Sequence, residues 1–333
     1  ILNTQKLKLA GSDVYGLVHS CYSRDKGRSW SELTPQKNLK IHGGSIADTT
    51  LKYHEKTGKF LMLGQRILYK DDSALMPELG AIGRSYYSTY DMENMCWGPA
   101  KIPLDMKGNP LSNTYFGCVQ RYDLENGDIL IPMSRRNEPG TQNRVSHVVV
   151  MRFSFDGETL RASDVGDVIC ADHEPRGIGE PSIIKYNNKF YITIRSDTKG
   201  YVAVSDDGLK YSPLEPWKWD TGLMVPTYNT QSHWISGKEG LYLVYTRKDG
   251  KNDHVFRNRA PLYVAKVDTE NLCLLRHTEM AITPERGARM GNFGAEDISL
   301  CESIVTTTEW MQPIGCEKYG SNNAIYMVKI RWD

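Results

Sequence analysis

Arginine follows four separate hydrophobic segments of this chain, each of which is typical of a short β-strand. The four residues are Arg66, Arg135, Arg195 and Arg247. A guanidinium group grips a carboxylate or sulfate through two parallel hydrogen bonds, which a lysine does less well. If the four positions converge, they form a cationic funnel for an anionic ligand. The alternative is that each arginine pairs with a neighbouring carboxylate of the protein itself.

Further cationic groups lie in two connecting segments of the second half. We predict that His254, Arg257 and Arg289 also bind the substrate, because their segments connect strands on the same face as the four arginines. Nearby carboxylates such as Asp253 and Glu285 are expected to neutralise part of this charge. Part of this positive charge is therefore expected to pair with carboxylates of the protein rather than with the ligand.

Polar residues of the types that do acid–base work stand where the first strand of each repeat begins. We predict catalytic roles for His42, Tyr115 and Glu180, and substrate contacts for Gln231 and His233. Each has a structural alternative. His42 can cap a loop, Tyr115 and His233 can be packed residues with satisfied polar atoms, and Glu180 can be the structural partner of an arginine.

These residues occupy equivalent places in a repeated two-strand unit, in which a short strand, a polar turn and a second hydrophobic strand follow one another. Five copies begin at Ser45, Tyr115, Glu180, Gln231 and Ala295, and an alternating third strand follows each. The repeat predicts an all-β fold, a β-propeller of four-stranded antiparallel sheets. A long β-sandwich would not explain five copies of one hairpin pattern.

We expect one propeller domain over residues 1–333, with six blades, or seven if further sequence precedes Ile1. The segment YGLVHSCYSRDKGRSW resembles the third strand and outer turn of a blade, so the first blade is expected to be incomplete in this chain. No apolar run is long enough for a transmembrane helix, and insertion into a membrane is not expected. A monomer is expected.

Composition narrows the class of ligand. The 41 Lys and Arg residues balance 40 Asp and Glu to a net charge of +1, which gives no reason to expect nucleic acid. Seven cysteines show no CxxC pair, and no nucleotide, haem or flavin motif is present, so no cofactor is expected. The histidines lack metal-ligand spacing and no metal is predicted, although His147, His173 and Cys170 could meet in space.

The segment Ser23-x-Asp25-x-Gly27-x-x-Trp30 matches the S-x-D-x-G-x-x-W pattern of the Asp-box, and shorter versions begin at Ser154 and Ser205. An aspartate caps the tight turn of such a box, and the glycine takes a backbone angle that other residues avoid. The chain thereby resembles the sialidase superfamily of β-propellers with Asp-box (BNR) repeats. The segments GEPSII, YNTQSHW, NDHVFRNRAPLYVAKVD, RGARMGNFG and CEKYGS extend this resemblance.

The resemblance implies a carbohydrate-active, sialidase-like glycoside hydrolase that acts on an acidic glycan containing sialic acid or a uronate. Its partner would be an anionic oligosaccharide or polysaccharide, and its location periplasmic or extracellular. Strand-end arginines would clamp the carboxylate while His42, Glu180 or Glu296 acts as acid or base. The chain lacks the early R-I-P arginine of sialidases, and Tyr319 is the nearest counterpart of their nucleophilic tyrosine.

Related propellers leave two other functions open. In a polysaccharide lyase resembling the ulvan lyases, Arg135 would neutralise a uronate and His42 or Tyr115 would remove its C5 proton, with Tyr115 protonating the leaving oxygen. A rhamnosidase that acts on rhamnosyl-glucuronate is a further relative of the hydrolase type. The third function is glycan binding without catalysis.

Overall fold

Hairpins between consecutive strands build six antiparallel sheets, which stand in a ring as the blades of a β-propeller. A computed structural model describes residues 1–7, 14–41, 43–71, 74–75, 85–136, 145–290 and 292–332. Within these ranges the only helical segments are four single 3-10 turns, at Lys37–Leu39, Phe256–Asn258, Arg276–Thr278 and Cys316–Tyr319. The predicted six-bladed, all-β fold is confirmed.

Blades I to III occupy the first half of the chain. Blade I contains β1 (Leu2–Leu7), β2 (Tyr15–Cys21) and β3 (Thr34–Pro35). Blade II contains β4 (Gly44–His54), β5 (Lys59–Asp71), β6 (Ala74–Leu75), β7 (Ser85–Asp91) and β8 (Cys96–Trp97). Blade III contains β9 (Thr114–Tyr115), β10 (Tyr122–Asp123), β11 (Ile129–Arg136), β12 (Ser146–Phe155) and β13 (Leu160–Val165).

Blades IV to VI occupy the second half. Blade IV contains β14 (Gly179–Tyr186), β15 (Lys189–Arg195), β16 (Gly200–Ser205) and β17 (Glu215–Pro216). Blade V contains β18 (His233–Gly237), β19 (Gly240–Tyr245), β20 (Tyr263–Asp268), β21 (Cys273–Leu274) and β22 (Met280–Ala281). Blade VI contains β23 (Gly294–Ser299), β24 (Glu302–Thr308) and β25 (Ile325–Arg331). The described residues give blades I and VI three strands each, whereas the sequence predicts an incomplete blade only at the start.

Local sequence sets the hairpins. In blade IV, Tyr186 pairs with Lys189 across a two-residue turn, and both turn residues, Asn187 and Asn188, have positive φ angles of 47° and 62°. Asparagine tolerates this conformation, which gives the turn a twist that matches the twist of the strands. Large apolar side chains then fill the space between sheets, among them the fully buried Trp217 and Trp234.

In five blades an aspartate at or shortly after the end of β2, β7, β12, β16 or β20 caps the turn to the next strand. Its carboxylate accepts hydrogen bonds from backbone amides two to four residues ahead. The five residues are Asp25, Asp91, Asp156, Asp207 and Asp268. The Asp-box pattern indicates three of these turns, and those of Asp91 and Asp268 have the same hydrogen bonding without the sequence motif.

The propeller has two faces. We call the top face the one at which the first strand of each blade begins and the second strand ends. The aspartate-capped turns lie at the opposite face, because each follows a strand that begins at the top face. Among the described residues, no helix has the length and apolar character needed to cross a bilayer.

Candidate functional site

Arg195 and Glu180 form a two-pronged ion pair at the top of blade IV. Nε and Nη2 of Arg195 donate to the two carboxylate oxygens of Glu180, each over 2.8 Å. Burial raises the pKa of the Glu180 carboxyl, but the positive charge and hydrogen bonds of Arg195 outweigh it and leave the pKa below its usual value. Glu180 is therefore ionised at neutral pH and fixes the direction of the guanidinium group.

Asn229 connects Arg195 to a second arginine from blade V. Its side-chain oxygen accepts from Nη1 of Arg195 over 2.8 Å, while its backbone oxygen accepts from Nη2 of Arg259. Arg259 is only 5% exposed, and burial lowers its pKa although the charge of Glu180 raises it. In the described part of the chain, no carboxylate makes an ion pair with Arg259, and its buried Nε lacks a hydrogen-bond partner.

Two more arginines and one more carboxylate complete this group. Asp197 accepts from Nη1 of Arg195 over 3.3 Å and forms a two-pronged pair with Arg176. The charge of Arg257 acts on both Asp197 and Arg259. We call these residues the Arg195 cluster: Arg176, Glu180, Arg195, Asp197, Arg257 and Arg259. Four guanidinium groups against two carboxylates leave a balance of +2.

A tyrosine–carboxylate pair lies on the other side of the axis. The Tyr15 hydroxyl donates to Oδ1 of Asp48 over 2.9 Å. Asp48 also accepts from Gln65 over 2.5 Å and from the side-chain amide of Asn292. Because the donors come from blades I, II and VI, the half-buried carboxylate of Asp48 is held at their meeting point.

Cys118 of blade III lies between this pair and the Arg195 cluster. Its backbone amide donates to the carbonyl of Asp48 over 3.0 Å. Burial raises the pKa of its thiol far above the usual value, and the charges of Asp48, Glu180 and Arg195 also act on that thiol. Residues of all six blades thus meet around the axis at the top face.

Backbone strain is also present in this region. Five non-glycine residues of this region have φ angles between 46° and 57°, the left-handed conformation that side chains other than asparagine seldom adopt. They are Asp48, Cys118, Glu180, Asn229 and Arg257. Residues held in such conformations cluster at functional sites, where the surrounding structure offsets about 1–3 kcal/mol each.

His233 and Gln231 are core residues beneath the cluster rather than parts of an open surface. Nδ1 of His233 lies 2.8 Å from the Ser182 hydroxyl, and burial lowers its pKa to about 4. The imidazole is consequently neutral at pH 7. Gln231 is fully buried, and its side-chain oxygen accepts from the Thr230 hydroxyl over 3.1 Å.

The other predicted cations of blades V and VI are engaged by the protein. Arg247 forms a two-pronged pair with Glu279, with distances of 2.8 and 2.6 Å, and His254 lies 3.1 Å from Glu285. Arg289 is fully buried, stacks 3.2 Å above the Trp310 ring and donates to Gln312. Arg247 and His254 thus pair with carboxylates of the protein, the alternative named from the sequence, whereas Arg289 is held by an aromatic ring and an amide oxygen.

The remaining predicted residues belong to blades II and III. Arg66 is half-buried on β5, opposite Ile46, and Arg135 is exposed on β11, opposite His147.

Tyr115, one of the predicted catalytic residues, lies on β9, where the guanidinium of Arg136 lies 5.0 Å from the centre of its ring. His42 lies outside the described residues.

An exposed aromatic surface borders the Arg195 cluster. Phe256 is 40% exposed, and the guanidinium groups of Arg257 and Arg289 lie 5.2 and 4.7 Å from its ring centre. Tyr319 is 46% exposed, and its ring lies 4.5 Å from that of His254. Such rings offer apolar area beside polar groups, an arrangement common in sites for small molecules.

Sequence reasoning missed Tyr15, Asp48, Arg176 and Asp197, and Arg259 was not among the predicted substrate-binding residues. Asp48 lies at a bulge inside β4, where the register shifts between Ala47 and Thr50. The repeat pattern indicates which residues start and end the strands, but it does not indicate a bulge inside a strand. The Gly43–Gly44 pair and the unusual length of β4 are the only local signals.

The top-face geometry belongs to a fold shared with sialidases. A Dyadobacter fermentans protein of unknown function superposes with a TM-score of 0.65 at 14% identity, over 94% of this chain and 83% of that one. Trypanosoma rangeli sialidase gives 0.59 at 13% identity, over 98% of this chain and 51% of the enzyme. NanB sialidase of Streptococcus pneumoniae gives 0.60 at 12% identity, over 94% and 63%.

The chain therefore has the six-bladed propeller fold of the sialidases, and it spans about half to two thirds of the length of those two enzymes. No protein-family model and no curated protein matches the sequence. At these identities the likeness establishes the fold.

Proposed function

We propose that this chain is a sialidase-like glycoside hydrolase that binds the carboxylate of an acidic sugar at the Arg195 cluster. The observation that carries the proposal is Arg259, a buried arginine beside Arg195 with no carboxylate of its own among the described residues. Burying an unpaired charge is costly. A ligand carboxylate would supply the missing counter-charge.

In this proposal Glu180 positions Arg195 and does not act as the acid or base. Both oxygens of Glu180 are occupied by the guanidinium, and the pKa of this carboxyl is lowered. The second N–H of Nη2 of Arg195, together with Arg257 and Arg259, would face the ligand. The balance of +2 in the cluster favours an anion over a neutral sugar.

The Tyr15–Asp48 pair supplies the chemistry. Tyrosine is the nucleophile of sialidases, and a neighbouring base activates a weak nucleophile. Asp48 takes the phenolic proton as Oη of Tyr15 bonds to the anomeric carbon and the glycosidic C–O bond breaks. The leaving alkoxide takes a proton from solvent water. A water molecule then attacks the anomeric carbon and gives up a proton to solvent, while Asp48 returns the phenolic proton to Oη of Tyr15 as the aryl–sugar bond breaks.

The aromatic surface of Phe256 and Tyr319 would receive the apolar face of the sugar or of its neighbour in the glycan. Because a polymeric acidic substrate of this kind would be met outside the cytoplasm, we propose a periplasmic or extracellular location. The proposed partner is thus an anionic oligosaccharide or polysaccharide.

The test measures binding and turnover on the same panel of sialylated and uronate-containing oligosaccharides. Arg259→Lys keeps the charge but loses the fork, and we expect affinity to fall by about 30-fold or more, since disturbing a buried charge pair costs about 2 kcal/mol or more. Arg331→Lys is the matched control, because Arg331 is an exposed arginine at the opposite face.

Release of free sugar without a rise in ultraviolet absorbance supports hydrolysis. A rise in absorbance from an unsaturated uronate would replace the hydrolase with a lyase. Binding without turnover of any glycan would reduce the protein to a lectin. Equal binding by wild type and Arg259→Lys would remove the Arg195 cluster from the site.

A further inference from the structure

A histidine, a cysteine and an aspartate meet at the top of blade III, outside the Arg195 cluster. One ligand atom from each of His147, Cys170 and Asp172 lies within 4.8 Å of the others. The sequence suggested His147 and Cys170 with His173 as third member. The third member is instead Asp172, because Nε2 of His173 lies 2.7 Å from the Tyr201 hydroxyl.

Backbone pairing explains why His147 and Cys170 face each other. Val148 and Ile169 exchange both of their backbone hydrogen bonds, over 2.9 and 2.8 Å. In an antiparallel ladder the next pair outward, His147 and Cys170, is then a non-hydrogen-bonded pair. The side chains of such a pair approach closest and point to the same side of the sheet.

The segment that carries Asp172 is fixed from below by a buried carboxylate. Glu174 is 3% exposed and accepts from the Tyr201 hydroxyl over 2.6 Å and from the Thr198 hydroxyl over 2.8 Å. The amides of Glu174 and Gly177 close the turn through bonds to Ala171 and Glu174. Asp172 is therefore presented from an anchored turn, although its own side chain is exposed.

We propose that His147, Cys170 and Asp172 bind one zinc ion, with a fourth position left to water. Imidazole nitrogen, thiolate sulfur and carboxylate oxygen are the three ligand types that zinc accepts in proteins. Tetrahedral coordination needs ligand atoms about 3.3–3.8 Å apart, given Zn–N and Zn–S bonds of about 2.0 and 2.3 Å. The ligand atoms now lie within 4.8 Å of one another, and because Cys170 and Asp172 are exposed, rotation of their side chains can shorten this separation to the coordination distance.

The site does not depend on the proposed function. His147 lies in one cross-strand row with Thr114 and Arg135, and it is nearer than either to the outer edge of the blade. Binding would link the start of β12 to the segment before β14. We therefore expect bound zinc to raise the unfolding temperature.

Cobalt(II) is the spectroscopic probe for this test. The full chain, reduced and freed of metal with a chelator, is titrated with cobalt and then with zinc. We expect one equivalent of cobalt to produce a thiolate-to-cobalt charge-transfer band in the near ultraviolet, and zinc to abolish it by displacement, because zinc and cobalt share ligand preferences.

Cys170→Ser should remove the charge-transfer band, and Asp172→Asn should weaken zinc binding by about 10-fold or more, the least that loss of even an outer-shell partner costs. Cys301→Ser is the matched control, since Cys301 is also exposed but lies in blade VI. Circular dichroism of each variant checks folding. Absence of the band in the wild type, or its survival in Cys170→Ser, would overturn the proposal.

Discussion

At the scale of single residues, the candidate site depends on groups that are costly to keep in place. Asp48, Glu180 and Asn229 have left-handed backbones, and Arg259 keeps a guanidinium buried. A protein retains such features only where the surrounding contacts over-determine them. Each of these residues is tied to a neighbouring blade by a hydrogen bond, so the strain is distributed across the ring.

Tyr15→Phe should abolish most of the proposed hydrolysis while substrate binding changes little. The variant keeps the ring and its contact with Trp310, 6.3 Å between centroids, but loses the hydroxyl that donates to Asp48. We expect kcat to fall by about 100-fold or more with KM nearly constant. Tyr53→Phe, at an exposed tyrosine, is the control. Full activity in Tyr15→Phe would exclude the tyrosine as nucleophile.

His233 should make the protein sensitive to mild acid. Burial lowers its pKa from 6.5 to about 4, so the unfolded chain takes up this proton first as pH falls. Stability is then lost between about pH 6.5 and pH 4, by about 3 kcal/mol in total. His233→Gln should flatten this dependence, measured by urea unfolding at pH 7 and pH 4.5, whereas His277→Gln, at an exposed histidine, should not. If wild type and His233→Gln lose the same free energy of unfolding between pH 7 and pH 4.5, the pH dependence does not come from His233.

At the scale of elements, polar side chains join blades whose strands do not pair with each other. Asp297 on β23 accepts from the amide of Ser236 on β18 over 3.0 Å, and from the hydroxyls of Ser236 and Ser303 over 2.7 and 2.6 Å. It thereby connects the inner strands of blades V and VI. Apolar packing between sheets does not fix their relative height, and directional bonds of this kind do.

Asp297→Ala should destabilise the junction of blades V and VI. The amide of Ser236 would lose its acceptor, and an unsatisfied group of this kind costs about 1–3 kcal/mol. Urea denaturation should report a lower midpoint with an unchanged slope. Asp253→Ala, at an exposed aspartate, serves as the control. If both variants unfold alike, the inter-blade bonds carry no net stability.

At the scale of the whole molecule, one side chain spans the centre of the ring. Gln120 of blade III donates to the carbonyls of Trp234 and Ala295 over 2.8 and 3.2 Å, and accepts from the amide of Trp234 over 2.7 Å. The inner strands of blades V and VI expose backbone groups toward the axis, where no further strand is available. One amide satisfies three of them.

Gln120→Ala should therefore lower the free energy of unfolding by about 2–5 kcal/mol, since it leaves three buried backbone groups without partners. Chemical denaturation measures the loss, and Lys238→Ala in the exposed turn of blade V is the control. Unaltered stability of Gln120→Ala in this measurement would mean that water replaces the side-chain amide in the channel.

The blade pattern can be read from the sequence, because strand alternation and turn residues are local properties. It indicated the hairpin at Asn187–Asn188 and the inner-strand role of Glu180. Which charged side chains meet depends instead on how distant segments of the chain fold together. Arg247 and Arg195 are equivalent in the repeat, yet their surroundings differ because the partners come from distant loops. Arg247 pairs with Glu279, whereas Arg195 and Arg259 both donate to Asn229. Tyr15 of blade I and Asp48 of blade II pair because neighbouring blades meet at the axis, and ring closure brings Asn292 of blade VI to both.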